Sequence, residues 1–155
     1  METHMSVAFT LEPLTKSLQE EVQPLLEKHW REIAHDLTIP LEPRWDVYFA
    51  LQATGALNFF TARIDGELVG YAVFFLNFNL HYGSSFQAQQ DIVFIEPDYR
   101  RGTLGTRLIK YAEERLKASG VQVVLHHVKQ KHNWGPLLER LGYSLVDLIY
   151  FKRIN

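Results

Sequence analysis

The residues with the clearest chemistry lie in one continuous stretch, residues 91–108, with the sequence DIVFIEPDYRRGTLGTRL. An apolar run ends at Pro97, a short basic loop follows, and an amphipathic helix is predicted to begin directly after the loop. The first N–H groups of a helix have no partner within it, and the helix dipole favours an anion beside them. Positive charge is added there by Arg100, Arg101 and Arg107. The stretch therefore predicts a pyrophosphate-binding loop.

Composition excludes several other classes of protein. The chain has 155 residues and a formal net charge of −2, which argues against a nucleic-acid partner. It has no cysteine, which excludes a disulfide scaffold, a thiolate zinc site and a cysteine nucleophile. Neither the P-loop motif G-x-x-x-x-G-K-[ST] nor the dinucleotide-binding motif G-x-G-x-x-G occurs in the sequence. No apolar run is long enough for a membrane span and no signal peptide is visible, so we expect a cytoplasmic protein with no metal site.

The pattern of apolar residues predicts one domain over residues 5–155. His4-Met5 has the form of a cloning junction, so residues 1–4 are interpreted as a leader outside the fold. Asp65-Gly66 is a strong hairpin signal, and Pro24 is expected to kink or divide the first helix. The predicted strands cover 7–11, 57–64, 68–75, 88–95, 121–128 and 143–153, and the predicted helices cover 15–34, 44–54, 103–118 and 133–141.

The loop and the order of elements resemble one known family. Ile95-Glu96-Pro97, then Arg100 and Gly105, resemble motif A of the GNAT superfamily of N-acetyltransferases, which reads V-x-P and then [QR]-x-x-G-x-[GA]. Thr103 stands where the family has its first glycine, with Gly102 one residue earlier. Residues 137–143, LLERLGY, resemble the closing helix of the family, and the small size is similar to members carried on phage genomes.

The resemblance covers nearly the whole chain and implies a fold, a cofactor and a set of contacts. The implied fold is α/β, with a mixed central sheet, a V-shaped splay between two parallel strands, and flanking helices. The implied co-substrate is acetyl-coenzyme A, without a metal. By resemblance, the residues that bind it are Phe94 and Ile95 through their backbone, the loop residues Arg100, Arg101, Gly102, Thr103, Leu104, Gly105 and Thr106, and Asn133.

Acetyl transfer to an amine needs a group that removes a proton, because an amine with a pKa near ~10 is protonated in water. Asp91 occupies the strand position where the family often has a glutamate, so it is the first candidate for the base. It could instead bind the ammonium group electrostatically. His126 and His127 are rival bases, and strand alternation predicts that they point to opposite faces.

The general acid of the family is a tyrosine in the closing helix, and Leu138 stands at that position. Tyr143 and Tyr150 are the candidate substitutes. The resemblance therefore implies an N-acetyltransferase that acts by direct attack of a primary amine in a ternary complex. The alternative is an acyl-coenzyme A-binding or protein-interaction module without turnover. A homodimer is expected from the edge strands and the aromatic surface, and the acceptor amine is left open.

Overall fold

A mixed five-stranded sheet forms the centre of the computed structural model, which describes residues 5–155; the predicted leader lies outside these residues. The strands lie in sequence order, antiparallel from the first to the fourth and parallel between the fourth and fifth. They are β1 (Val7–Glu12), β2 (Leu57–Ile64), β3 (Glu67–Phe78), β4 (Phe86–Ile95) and β5 (Val123–Leu125).

Helices cover both faces of this sheet, as an α/β architecture with a parallel strand pair requires. Across residues 5–155 they are α1 (Lys16–Ile33), α2 (Trp45–Ala53), α3 (Leu104–Ala118) and α4 (Gly135–Arg140), with short 3₁₀ turns at Pro97–Tyr99 and Gln130–His132. None of the helices in this part of the chain is long and apolar enough to cross a membrane.

Two apolar cores hold these layers together. On one face of the sheet, Phe60 and Phe74 pack with Leu108 of α3. On the other face, Tyr71 and Phe94 pack with residues of α1 and α2. Burying one large apolar side chain stabilises a fold by ~1.5–3 kcal/mol, whereas an exposed ion pair contributes ~0–1 kcal/mol. The cores therefore set the position of the helices around the sheet.

Local sequence signals explain how two of the elements form. Thr15 caps α1, because its hydroxyl accepts a hydrogen bond from the Leu18 N–H at 3.1 Å. Pro24 lies inside α1 and does not divide it into two helices. Asp65 and Gly66, with φ of 51° and 85°, make the predicted turn between β2 and β3, since two positive φ values match the twist of a hairpin.

β4 carries a bulge that changes which face its side chains occupy. Val73 of β3 pairs with Ile92, but the next residue, Phe74, pairs with Gln90, so Asp91 is the extra residue. The side chains of alternate residues therefore lie on one face of the sheet before the bulge and on the other face after it. Side chains of even-numbered residues face α3 up to Gln90, and those from Ile92 onward face α1 and α2.

The parallel pairing between β4 and β5 is short, and this corrects two predicted strands. Only Gln87–Gln89 pairs with Val123–Leu125, so the strand predicted over 121–128 ends early because the two strands separate. The strand predicted over 143–153 is not formed. Residues 144–155 are exposed and form no helix or strand, and within residues 5–155 no strand pairs with them.

Candidate functional site

A cavity of about 500 Å³ opens where β4 and β5 separate. Its floor is the free edge of β4 from Gln90 to Ile95, and α1 and the start of α3 form its sides. The remaining lining comes from the segment that follows β5, with His127, Lys129, His132, Asn133, Trp134 and Leu137. The separation of two parallel strands thus creates an elongated cleft beside an unpaired strand edge.

The free edge of β4 offers backbone hydrogen-bonding groups to an extended ligand. The Glu96 N–H bonds to the Val69 carbonyl of β3 at 2.8 Å. Because neighbouring residues of a strand direct their N–H groups to opposite sides, the Ile95 and Val93 N–H groups point away from β3 and towards the cavity. The same alternation turns the Phe94 N–H towards β3. Of the two predicted backbone donors, only Ile95 therefore faces the cleft.

The start of α3 presents unsatisfied N–H groups beside the end of β4. The N-cap residue Thr103 makes no side-chain capping bond, and the first turn holds no acidic residue. The Arg107 N–H bonds to the Thr103 carbonyl at 2.9 Å, so the N–H groups of Leu104, Gly105 and Thr106 precede the helical ladder. These donors and the helix dipole fit the pyrophosphate of coenzyme A.

Glycine leaves room for a ligand at this loop. A Cβ added to Gly102 would meet no atom within 4 Å, and one added to Gly105 would meet only Ile95 Cγ1, at 3.7 Å. Neither glycine is required by the packing of the protein itself. The absence of side chains here leaves the backbone open to close approach by phosphate oxygens, with Gly102, Gly105 and Thr106 lining the cavity.

The three arginines of the loop have different partners. Arg100 donates two hydrogen bonds to the Glu32 carboxylate, at 2.9 and 2.8 Å, and a third from Nε to the Ile95 carbonyl at 2.7 Å. Its guanidinium therefore uses these hydrogen bonds to connect α1 to the end of β4. Burial alone would raise the pKa of Glu32, but the Arg100 bonds outweigh it and lower that pKa. Arg107 lies over the Phe9 ring at 5.1 Å.

Arg101, like Arg107, is a basic side chain of this loop that no carboxylate occupies within residues 5–155. Arg101 is exposed. The side chains of Arg101, Thr103 and Leu104 do not line the cavity, and Leu104 is buried in the core. The loop thus presents backbone N–H groups to the cleft, rather than the cluster of arginines that the sequence indicated.

Asp91, the candidate base of the sequence analysis, lies at the bulge and lines the cavity. The Tyr48 hydroxyl of α2 donates a hydrogen bond to Asp91 Oδ2 at 2.5 Å. Burial raises the pKa of Asp91, while the Tyr48 bond and the nearby charge of His127 oppose that rise. Sequence reasoning missed Tyr48, which precedes Asp91 by 43 positions and carries no motif.

Gln90 joins the two separating strands, and sequence reasoning missed it as well. Its side-chain oxygen meets His126 Nδ1 at 2.7 Å, and its side-chain amide donates to the His127 carbonyl at 3.3 Å. The Gln90 backbone carbonyl meets His127 Nε2 at 2.8 Å. Because a carbonyl only accepts, these contacts assign the proton of His126 to Nδ1 and that of His127 to Nε2.

The two histidines therefore have different roles. His126 is enclosed by the rings of Phe74, Trp134 and Tyr143, and its Nε2 is buried without a partner in the described chain. Burial, with a smaller effect from His127, lowers the pKa of His126 to about 4, so it is neutral near pH 7. His127 is exposed, lines the cavity, and keeps a free lone pair on Nδ1.

Tyr143 and Asn133, also predicted from the sequence, differ in their relation to the cleft. The Tyr143 hydroxyl donates to Glu113 of α3 at 2.8 Å and lies outside the main cavity. Burial, together with Glu113, raises the pKa of Tyr143, so this hydroxyl is a poor proton donor for the cleft. Asn133 lines the cavity, and its side-chain oxygen accepts from the Gly135 N–H at 2.8 Å, which leaves its amide group free to donate. Leu138 is buried.

No group of three His, Cys, Asp or Glu side chains in residues 5–155 is arranged to hold a metal ion. His29 of α1, which also lines the cavity, packs against the Phe94 ring at 5.1 Å. Burial is the main cause that lowers the pKa of His29 to about 4, so this wall of the cleft carries no charge from His29 near pH 7. Among the described residues, the carboxylate that lines the cavity is Asp91.

Comparison with known proteins connects this geometry to one family. The model of the Acetyltransferase (GNAT) family matches residues 17–143. A search of curated protein sequences finds no match. Among solved structures, the chain is similar to a ribosomal-protein-alanine N-acetyltransferase from Brucella melitensis, with 20% identity, a TM-score of 0.72, and coverage of 97% of this chain and 100% of the other.

Two further structures have the same fold. A putative acetyl transferase from Pyrococcus furiosus is 19% identical, with a TM-score of 0.74 and coverage of 96% of this chain and 100% of the other. An aminoglycoside acetyltransferase from an uncultured soil metagenomic sample, in complex with sisomicin, is 12% identical, with a TM-score of 0.73 and 97% coverage of both chains. The predicted fold class, a mixed α/β sheet with one parallel pair, is confirmed. Since the family model spans most of the sequence, the chain belongs to the GNAT family and is an acetyl-coenzyme A-dependent N-acetyltransferase.

Proposed function

We propose that this enzyme transfers the acetyl group directly to a primary amine in a ternary complex, with Asp91 as the base. The observation that carries the proposal is the bulge in β4. It adds Asp91 at the point where β4 and β5 separate, and the carboxylate lines the cavity there. Bulges beside active sites commonly redirect one side chain. Here the redirected side chain is a partly buried acid.

The cleft has a place for each part of acetyl-coenzyme A. The N–H groups of Leu104, Gly105 and Thr106 bind the pyrophosphate, with Arg101 as a free cation. The pantetheine amides then pair with the free edge of β4, in the manner of an added strand. The thioester would then lie near Asp91, with the outward N–H group of Val93 available to its carbonyl and that of Ile95 available to the pantetheine. Donors aimed at a developing oxyanion can lower a barrier by a few kcal/mol.

Asp91 is suited to take the proton from the acceptor ammonium, directly or through one water. Its Oδ2 accepts the Tyr48 hydroxyl, which fixes the carboxylate and leaves Oδ1 for the substrate. Burial raises the pKa of Asp91, which makes it a stronger base than an exposed aspartate. His127 faces the same cavity with a free Nδ1 lone pair, and it is the alternative base.

The reaction is proposed to proceed without a dedicated general acid. Leu138 occupies the position of the family's tyrosine, and a leucine side chain has no acidic hydrogen, so that position cannot supply a proton. Tyr143 is committed to Glu113. A cysteine thiol has a pKa near ~8.5, and a thiolate of this kind, as in coenzyme A, is a weak enough base to leave unprotonated.

Asp91→Asn tests the assignment of the base. Loss of a general base typically lowers turnover by about 10²–10⁴-fold, and the coenzyme A loop is untouched, so the dissociation constant of acetyl-coenzyme A should remain within about twofold of wild type. Turnover is followed as free thiol with a panel of amines, and binding is followed by calorimetry. Asp98→Asn, an exposed carboxylate in the turn after β4, is the matched control. Unchanged turnover in Asp91→Asn would move the role to His127.

A further inference from the structure

The charged side chains that line the cleft differ in whether they already have partners. In the part of the chain that the structure describes, Asp91 is the carboxylate of the lining, and the lysine and arginine of the lining are Arg100 and Lys129. Arg100 is bound to Glu32. Lys129 is exposed, and within residues 5–155 no carboxylate pairs with it. The cleft therefore offers Asp91 to an ammonium group and Lys129 to an anion.

Lys129 lies on the same wall of the cleft as His127. Both side chains line the cavity, and that of Val128 between them does not. The Lys129 backbone is extended, with φ of −72° and ψ of 133°, and alternate side chains of an extended chain share one side. Each residue advances such a chain by ~3.3 Å, so the two side chains leave the wall ~6–7 Å apart.

This wall reaches the position proposed for the acceptor amine. The His127 Nε2 atom meets the carbonyl oxygen of Gln90 at 2.8 Å, and Gln90 directly precedes Asp91. Burial raises the pKa of Asp91, and the nearby charge of His127 opposes that rise. An amine bound to Asp91 therefore lies beside His127, and Lys129 is the next side chain along the same wall.

The contact with Gln90 places this wall away from the donors proposed for the pyrophosphate. Those donors are N–H groups at the start of α3, which follows the end of β4 at Ile95. Gln90 and Ile95 lie at opposite ends of the exposed edge of β4, which are roughly 15 Å apart in an extended strand. The wall that carries His127 therefore begins at the acceptor end of the cleft.

We propose that the acceptor is a small monoamine that also carries a carboxylate, with its ammonium group at Asp91 and its carboxylate at Lys129. This inference rests on the proposed function, since it takes Asp91 as the place where the amine binds. The Oδ2 atom of Asp91 accepts the Tyr48 hydroxyl, which leaves Oδ1 for the ammonium group. One lysine matches the single charge of a carboxylate and donates to it through its ammonium group.

The same charges disfavour an acceptor with several amines. A second ammonium group would need a second carboxylate, and two carboxylates on the elements that border the cleft, Glu32 and Glu96, already form ion pairs. An acceptor that extends from Asp91 along the wall would instead bring its second ammonium group to Lys129. Like charges in contact oppose binding. The cleft should therefore prefer an amine with an acidic far end to a diamine.

Matched amines test this preference through the charge of the far end. γ-Aminobutyrate, butylamine and putrescine share an aminopropyl group and end in a carboxylate, a methyl group and an aminomethyl group. ε-Aminocaproate, hexylamine and hexamethylenediamine form a longer series of the same kind. With the wild type, kcat/KM followed as free thiol should be about 10-fold or more higher for the acid than for the neutral amine in at least one series, and lowest for the diamine.

Substitutions of Lys129 assign the preference to that side chain. Lys129→Ala should lower the ratio of kcat/KM between acid and neutral amine by about 10- to 100-fold, chiefly through KM, because it removes a charge-assisted hydrogen bond. Lys129→Glu should make the diamine a better acceptor than the acid, and Lys129→Arg should retain the wild-type order. Lys131→Ala is the matched control, since Lys131 is exposed in the following turn and does not line the cavity. Its ratio should equal that of the wild type.

A wild type that uses neither acid, or that prefers the neutral amine in both series, would overturn the inference. So would an unchanged ratio in Lys129→Ala. If that variant instead binds acetyl-coenzyme A more weakly by calorimetry, with the ratio unchanged, Lys129 contacts the cofactor and not the acceptor.

The ratio compares two amines on one enzyme preparation, so it does not depend on which residue is the base. Failure of the proposed function is seen separately, as unchanged turnover in Asp91→Asn. A ratio that still depends on Lys129 in that case would support the carboxylate site while the assignment of the base fails.

Discussion

The two halves of β4 differ in their neighbours, and this difference separates stability from function within one strand. Residues Phe86–Gln89 have β3 on one side, and from Gln87 onward they pair with β5 on the other. Residues Gln90–Ile95 pair with β3 alone. The paired half contains Ala88, which has no exposed surface, whereas the separated half contains Asp91 and lines the cavity.

A single bulge and a single side chain mark the boundary between these halves. The bulge adds Asp91 after Gln90, and the Gln90 side chain bonds across the gap to His126 and His127. Without these bonds, the separation of two parallel strands would leave buried polar groups without hydrogen-bond partners. Each such group lowers the stability of the fold by about 1–3 kcal/mol. The separation that makes room for a ligand therefore depends on Gln90, which lies where the two strands begin to separate.

A side chain that fills the proposed anion site, at the end of the separated half of β4, should have the largest effect on ligand binding. Gly105→Leu places a side chain beside Ile95, where we propose that the pyrophosphate lies. The dissociation constant of coenzyme A should rise by on the order of 100-fold or more, because the side chain occupies the anion site. Stability should not fall, since leucine is favoured over glycine inside a helix by about 0.8 kcal/mol. Calorimetry and thermal unfolding measure the two effects separately.

Gly105→Ala is the matched control for that substitution. The added Cβ meets only Ile95 Cγ1 at 3.7 Å, which is an ordinary contact, so binding should change far less than it does with leucine. If Gly105→Leu binds coenzyme A as tightly as the wild type, the start of α3 does not hold the pyrophosphate. The separated half would then bind a different ligand, or bind coenzyme A elsewhere.

Removal of the Gln90 side chain, which joins β4 to the segment after β5 where the strands separate, should have an intermediate effect. Gln90→Ala removes the side-chain bonds to His126 and His127 and leaves His126 Nδ1 buried without an acceptor. The free energy of unfolding should fall by about 1–3 kcal/mol, and turnover should fall as well because His127 loses one of its two contacts. Urea unfolding measures the first effect, and thiol release measures the second.

The neighbouring residue supplies the control for this comparison. Gln89 belongs to the paired half and its side chain is exposed, so Gln89→Ala should change the free energy of unfolding by less than about 0.5 kcal/mol. Equal losses from the two substitutions would show that Gln90 has no special part in holding the strands at their point of separation.

The elements predicted correctly depend on local signals, and those predicted wrongly depend on distant partners. The hairpin at Asp65-Gly66 follows from two residues that tolerate positive φ, and β2 was predicted with its observed bounds. The last strand and most of β5 were predicted from β-forming residues alone. A strand is completed only by a neighbour, and within residues 5–155 no strand pairs with residues 144–155.

The site shows the same division between local and distant information. The loop from Arg100 to Thr106 and the position of Asp91 could be read from one continuous stretch. The hydrogen bonds of Arg100 to Glu32, 68 positions away, could not be read from the sequence. The hydrogen bond between Tyr48 and Asp91 could not be read from it either. Such pairs depend on how α1 and α2 pack against the sheet, and no spacing in the sequence reports that packing.

The smallest expected effect concerns the hydroxyl that binds Asp91. Tyr48→Phe removes the hydrogen bond that lowers the pKa of Asp91, so this pKa rises further above the ordinary value. Asp91 must be ionised to accept a proton. A raised pKa therefore moves the loss of turnover on acidification to a higher pH. On the high-pH plateau, turnover should fall by less than about 10-fold, since the base itself remains.

The pH dependence of turnover, measured with saturating amine and acetyl-coenzyme A, detects this displacement. Tyr111→Phe is the control, because Tyr111 packs against Phe9 and Phe60 on the opposite face of the sheet. Its acidic limb should coincide with that of the wild type. A limb that moves to lower pH in Tyr48→Phe, or does not move, would mean that a group other than Asp91 controls it. Because His127 makes no contact with Tyr48 among the described hydrogen bonds, an unmoved limb would favour His127 as the base.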